Sequence, residues 1–132
     1  MILKPTKKNA SKMPEIAHFN DSIRDAIKGS TWGGHESEPG FVNGAIGKES
    51  LIAKNLLAGS LRDQGQGIYD FSQPSQVIQY AEAHDNLTLW DKLSYSNPAD
   101  SDQDKKKMQK IGNEYGVAIT GRTVYSCWTR VF

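Results

Sequence analysis

The stretch "YAEAHDNLTLWDKL", Tyr80 to Leu93, joins an apolar run to a helical pattern through three consecutive polar side chains, His84, Asp85 and Asn86. Just upstream, "SQVIQYAEA" reads as a strand buried at Val77, Ile78 and Tyr80, and "NLTLWDKL" after the triplet reads as a helix. The same succession occurs earlier in the chain. "EIAHF" (Glu15 to Phe19) has the short, mixed apolar character of a strand and runs into Asn20 and Asp21. "DSIRDAIKGS" follows, with Ile23, Ala26 and Ile27 at helical spacing, Asp21 or Ser22 as its cap and Gly29 as its stop. Two strand–polar–helix units in one order predict an α/β fold with a parallel sheet.

Between the units lie long connections. "TWGGHESEPGFVNG" holds four glycines and a proline in fourteen residues and is predicted to be loop. "KESLIAKNLLAGS" places Leu51, Ile52, Leu56 and Leu57 on one face and stops at Gly59, a second helix. "LRDQGQGIYDFSQP" is again loop. "DSDQDKKKMQKIGN" is predicted helical, with acids in its first turn and lysines later, as the helix dipole favours. "DKKKMQK" reads as a solvated face. No internal repeat or low-complexity segment is present.

Composition narrows the function classes. The chain has 132 residues, enough for one small domain with a modest core. Lys and Arg number 16 against 15 Asp and Glu, so nothing indicates a nucleic-acid or anionic-membrane partner. No apolar run approaches the roughly 20 residues of a membrane span, and "MILKPTKKNASKMP" has no signal-peptide core. One cysteine, Cys127, excludes an internal disulfide framework. Mean hydropathy is −0.59 with 37% apolar residues, a thin core. HExxH, CxxC, P-loop and GxSxG patterns are all missing, so no metal site, cofactor, phosphate cradle or serine nucleophile is expected.

Taken alone, "HDN" and "FND" each read as a turn in which an Asx side chain caps the next helix. In a parallel barrel the same positions lie where catalytic residues collect, at the strand ends that lead into helices. His18, in a strand, and His35, in a loop, read as structural or solvated. Trp32, Trp90, Tyr69 and Phe71 could stack on sugar rings or pack as anchors.

The blocks "MPEIAHFNDSIRDAIKGS", "GFVNG" and "YAEAHDNLTLWDKLSYS", in this order and spacing, resemble type I pullulanases. These are the debranching members of the α-amylase superfamily, glycoside hydrolase family 13. The resemblance runs from about Asn9 to Asn113, and "EAHDNLTLWDKL" points to pullulanase more than to α-amylases at large. His18 stands where an aromatic residue would be expected. The resemblance implies a partial TIM (β/α)8 barrel, roughly its sixth and seventh strand–helix units. It implies a branched α-glucan substrate and retaining hydrolysis of α-1,6-glucosidic linkages. Asp85 would be the transition-state stabiliser, holding the sugar hydroxyls as the ring distorts towards an oxocarbenium ion. His84 would hydrogen-bond the same sugar, and Asn86, Asn20 and Asp21 would line the same pocket.

A retaining glycosidase also needs a nucleophile and an acid/base carboxylate held about 5 Å apart. In the family these sit in blocks resembling "GFRFD" and "GEPW", which this sequence does not contain. Residues 1–113 are therefore expected to be a barrel fragment, inactive alone. Residues 114–132 are expected to be a frameshifted tail. Where the family continues with a strand resembling "QGVPFIHAGQEF", this chain reads "TGRTVYSCWTRVF", and the neighbouring reading frame can encode "Q(G/D)VPFIHAGQEF" throughout. Cys127 and Trp128 would then have no selected role. The competing reading is a non-catalytic carbohydrate-binding or interaction module that reuses the motif.

Overall fold

The computed structural model describes residues 6–56, 74–83 and 85–120. It is an α/β arrangement in which helices predominate. A 3-10 turn, Lys7–Lys12, leads to strand β1 (His18–Phe19) and helix α1 (Asp21–Lys28). A second 3-10 turn, Phe41–Asn43, precedes α2 (Glu49–Leu56), and a third, Pro74–Gln76, precedes β2 (Val77–Ile78). Helices α3 (Leu89–Ser96) and α4 (Asp102–Thr120) follow.

β1 and β2 pair in parallel, His18 with Val77 and Phe19 with Ile78, and the Asn20 amide extends the ladder to the Ile78 carbonyl at 2.9 Å. The parallel sheet is the one expected, but each strand is shorter than its apolar run. Glu15 to Ala17, Gln79 and Tyr80 carry strand-like sequence without ladder pairing among the described residues. Val77 and Ile78 are half-buried rather than buried, and Tyr80 is buried.

Helix α1 forms where its apolar spacing puts it, but its cap lies one residue earlier than expected. Asn20, not Asp21 or Ser22, accepts the Ile23 amide at 3.4 Å. Gly29 ends the helix at φ 87°, in the left-handed region open to glycine. Its missing side chain serves a second purpose. A Cβ on Gly29 would overlap the Glu38 carbonyl oxygen, and a Cβ on Gly40 would overlap the Gly29 amide nitrogen. The two backbones touch there, closing residues 30–39 into a loop. Helix α3 is capped by Thr88, whose hydroxyl accepts the Asp91 amide at 3.2 Å. The "HDN" triplet is thus not the cap of α3. Helix α4 starts on Ser101, which accepts the Asp104 amide at 3.2 Å, with Asp102 and Asp104 in its first turn as the dipole prefers.

The core gathers Ile23, Ala26 and Ile27 of α1 with Ile52 of α2 and Ala81, and Phe41, Val42, Leu51 and Tyr115 pack around it. Leu89 and Leu93 of α3 are fully buried. Helix α4 comes close to α3 at Gly112, where a Cβ would lie 2.7 Å from Leu89 Cδ2. "GFVNG" is a bracket: Asn43 accepts the Gly40 amide at 2.7 Å and donates to Ser96 Oγ at 2.7 Å. Lys105, in the stretch expected to be a solvated face, is buried. The expected Leu57 and Gly59, with Tyr69 and Phe71, lie outside the described residues. Among the described residues no helix is long and apolar enough to cross a membrane.

Candidate functional site at the strand ends

Parallel pairing puts the residues after β1 and the residues after β2 at the same end of the sheet, and side-chain bonds lock them together there. Asn20 Nδ2 donates to Gln79 Oε1 at 2.8 Å and to Asn55 Oδ1 at 2.9 Å, while its Oδ1 caps α1. Gln79 in turn donates to the Asn55 carbonyl at 2.6 Å. Asn20 is buried, with both amide protons and its oxygen in use, so this network joins β1, β2 and α2.

Asp21 is tied as tightly. Tyr80 donates to its Oδ1 at 2.5 Å, Arg24 Nη1 approaches the same oxygen at 3.2 Å, and Lys7 bonds Oδ2. Burial alone would raise the Asp21 carboxyl. The hydrogen bonds from Lys7 and Tyr80 and the charges of Lys7 and Arg24 outweigh it and hold the group below the usual carboxylate range. Arg24 also donates to Tyr80 Oη at 2.9 Å and to Asp25 at 2.7 Å. Phe19 meets the Tyr80 ring edge-on at 5.0 Å.

Beyond Tyr80 the chain passes buried Ala81 and Glu82 and reaches the second triplet. His84 lies outside the described residues. Asp85 and Asn86 are exposed, and Asn86 adopts φ 68°, the one non-glycine residue at positive φ among those described. Its Oδ1 accepts the amide of the next residue, Leu87, at 2.8 Å, a local side-chain bond of the kind that helps asparagine tolerate this region.

Two buried lysines, given no role by the sequence reading, hold the surroundings. Lys28, the last residue of α1, donates to the Leu87 carbonyl at 2.8 Å. Burial pushes its ammonium down to about 8 against the pull of Glu82, whose own carboxyl burial raises. Glu82 accepts the Leu89 amide at 2.8 Å. The turn carrying Asp85 and Asn86 is thus clamped on its far side by Lys28 at Leu87 and by Glu82 at Leu89. Lys92 of α3 donates to the carbonyls of Ser30, His35 and Glu36 at 2.5, 2.8 and 2.8 Å. An ammonium has three protons, and each finds a carbonyl, which is why this charge can be buried.

The wall fixed by Lys92 and the turn fixed by Lys28 border a cleft of about 400 Å³, lined by Thr31, Glu36, Ser37, Asn86, Leu87 and Tyr95. Trp32 is 60% exposed beside it in sequence, and Trp90 is half-buried. Among the described residues no group of three or more His, Cys, Asp or Glu could hold a metal ion.

No protein-family model matches the chain. Individual proteins do. It is 39% identical over 103 residues to the pullulanase of Bacillus subtilis, a match covering 78% of this chain and 14% of that protein. It is 30% identical over 128 residues to the chloroplastic pullulanase 1 of Arabidopsis thaliana, covering 69% of this chain and 13% of the relative. In structure it matches the Paenibacillus barengoltzii pullulanase solved with maltohexaose and α-cyclodextrin, at TM-score 0.71 and 36% identity, over 83% of this chain and 16% of that one. The type I pullulanase of Bacillus subtilis complexed with maltose matches at TM-score 0.72 and 36% identity, over 81% and 14% of the two chains.

Fold and matches together relate the chain to one segment of much longer proteins. More particularly, the chain is of pullulanase type, and it spans about one seventh of the Bacillus subtilis relative.

Proposed function

We propose that this chain is part of the catalytic (β/α)8 barrel of a starch-debranching enzyme, roughly the sixth and seventh strand–helix units. The parent reaction is retaining hydrolysis of α-1,6-glucosidic linkages in pullulan, starch or glycogen. The observation that carries this reading is the parallel pairing of β1 with β2, in a chain that matches pullulanase structures at TM-scores up to 0.72. That pairing sets Asn20 and Asp21, just after β1, beside Gln79 and Tyr80, just after β2, at one end of the sheet, the end at which a barrel enzyme gathers its site.

Asp85, an exposed residue in the turn before α3, is assigned the stabiliser's role. His84 is assigned a hydrogen bond to the same sugar, and Asn86 a place in the pocket. Asn20 and Asp21 support this pocket from within, since their side chains are bonded to Gln79, Asn55, Tyr80, Arg24 and Lys7. With no counterpart of "GFRFD" or "GEPW" among the 132 residues, these residues by themselves hydrolyse nothing. Residues 114–132 are read as a frameshifted ending. Helix α4 runs through that junction to Thr120, and Tyr115 just past it meets the Phe41 ring at 5.6 Å.

The test is a transplant. Residues 9–113 replace the matched segment of the Bacillus subtilis pullulanase, and release of reducing ends from pullulan is assayed. The expected result is an active enzyme whose kcat falls by roughly a hundredfold or more on Asp85→Asn, since the lost contact belongs to the transition state. Hydrolysis unchanged by Asp85→Asn would overturn the assignment.

A further inference from the structure

We propose that Glu82 is a positioning residue for Asp85: its buried side chain fixes the span of the turn between β2 and α3, and so sets where Asp85 stands in the transition state. The role rests on the debranching reading above, in which Asp85 is the stabiliser. It adds to that reading a buried residue that acts through the turn.

Glu82 lies just after β2 and is 1% exposed, yet its side chain reaches seven residues ahead. Oε2 accepts the amide of Leu89, the first residue of α3, at 2.8 Å. That amide is one of the first-turn donors a helix cannot satisfy from within, and a carboxylate suits the positive end of the helix dipole. Thr88 takes the Asp91 amide, so the start of α3 is held twice. The result is a closed ring. The chain leaves the Glu82 backbone, passes through residues 83–88 and returns to the Glu82 side chain at Leu89. Exposed Asp85 belongs to that ring, and Lys28 fastens the ring to the end of α1 through the Leu87 carbonyl at 2.8 Å.

Packing does not explain a carboxylate here. Oε1 is buried with no hydrogen-bond partner among the described residues, and burial raises the group against the pull of the Leu89 amide and the Lys28 charge. Taking a carboxylate out of water for a single bond is costly, and an apolar side chain of similar size would fill the space more cheaply. It could not hold the Leu89 amide. The turn needs holding, since Asn86 sits at φ 68°, a conformation that persists where the surroundings determine it. A misplacement of about 1 Å in a group that acts in the transition state can cost on the order of a hundredfold in rate.

Two substitutions separate the bond from the charge. Glu82→Gln keeps an oxygen within reach of the Leu89 amide and drops the charge. Glu82→Asp keeps the charge and is one methylene too short. In the Bacillus subtilis enzyme carrying residues 9–113, Glu82→Asp should lower kcat on pullulan on the order of tenfold to a hundredfold with KM unchanged. Glu82→Gln should stay within about threefold of wild type. Gln76→Ala is the stability control. It removes the buried donor that holds the Ala10 and Met13 carbonyls at 2.6 and 2.9 Å, at the other end of β2, and should leave kcat unchanged below its melting temperature. In the 132-residue chain, hydrogen exchange at the Leu89 amide should quicken in Glu82→Asp and stay slow in Glu82→Gln. A wild-type kcat in Glu82→Asp, equal losses in the two Glu82 variants, or an equal loss in Gln76→Ala overturns the positioning role and leaves the debranching reading standing. An indifferent Asp85→Asn overturns the debranching assignment, and the positioning role with it, whatever the Leu89 amide shows.

Discussion

Lys28 and Leu87, 59 residues apart in sequence, are joined by a 2.8 Å hydrogen bond from a buried ammonium to a carbonyl oxygen. The end of the first helix is thereby fastened to the turn that carries Asp85. Burial pushes the Lys28 ammonium down to about 8. Between there and the ordinary lysine value of 10.5 the unfolded chain keeps its proton while the folded chain has lost it, so stability rises with pH across that window. Below it both states are protonated and the burial cost stands in full. Lys92, also lowered by burial, acts in the same direction. Tyr80 opposes them: burial and Asp21 raise its hydroxyl, so stability falls once pH passes its ordinary value of 10.0. The urea midpoint should climb from about pH 7.5 to about pH 9.5 and then turn over. Lys28→Met should flatten the climb and spare the decline. A flat profile in the wild-type chain would contradict the burial of this lysine.

Lys92→Met keeps the length of the side chain and removes its three donors. The carbonyls of Ser30, His35 and Glu36 then lose a charged partner together, at a cost of about 2–4 kcal/mol. Chemical denaturation measures the loss, and a change below about 0.5 kcal/mol would show that the clamp is unimportant.

Asn20 predicts a different pattern. Asn20→Ala removes the α1 cap, about 1 kcal/mol, and strips Gln79 and Asn55 of a buried partner, about 1–3 kcal/mol more. Asn20→Asp keeps the cap but cannot donate to either oxygen, so it should recover little of the difference. If both variants were as stable as wild type and only sugar affinity changed, Asn20 would be a ligand-facing residue and not a hub.

The frameshift proposed for residues 114–132 makes a prediction that needs no protein. Glutamine in the neighbouring frame at Thr129 requires the codon ACA, and proline at Thr123 requires ACC. Sequencing the gene reads both. Other codons at the two positions would remove the basis for a shifted frame.

Helix α1 was legible because Ile23, Ala26 and Ile27 mark its buried face and Gly29 marks its end, all within one short segment. The parallel relation of β1 and β2 followed from the order of elements. Strand length did not, because an apolar run of five to nine residues gives no sign that only His18–Phe19 and Val77–Ile78 will pair. Capping missed by one position: Asn20, Asp21 and Ser22 are all good cap residues, and the choice fell to the one that Gln79 and Asn55 also bind. The buried lysines were the least legible. A lysine in a polar chain reads as solvated, and the carbonyls that satisfy Lys92 come from residues 56 to 62 positions away. The cleft shares that difficulty. Thr31, Glu36 and Ser37 belong to a glycine-rich connection with no periodicity, and Asn86, Leu87 and Tyr95 join them only through the tertiary fold.

The contact of Gly29 with Gly40 makes the connection between them a lasso with a fixed knot. Neither glycine tolerates a methyl group, because each would strike the other strand of the crossing. The tip of the noose is open: Gly33 and Gly34 have free space where a side chain would stand. Extra residues threaded in at that tip would lengthen the noose without loosening the knot, and doubling its length would cost only about 0.6 kcal/mol in closure entropy. The molecule thus has a natural port for a reporter or an affinity peptide between residues 33 and 34, ahead of the His35 and Glu36 carbonyls that Lys92 holds.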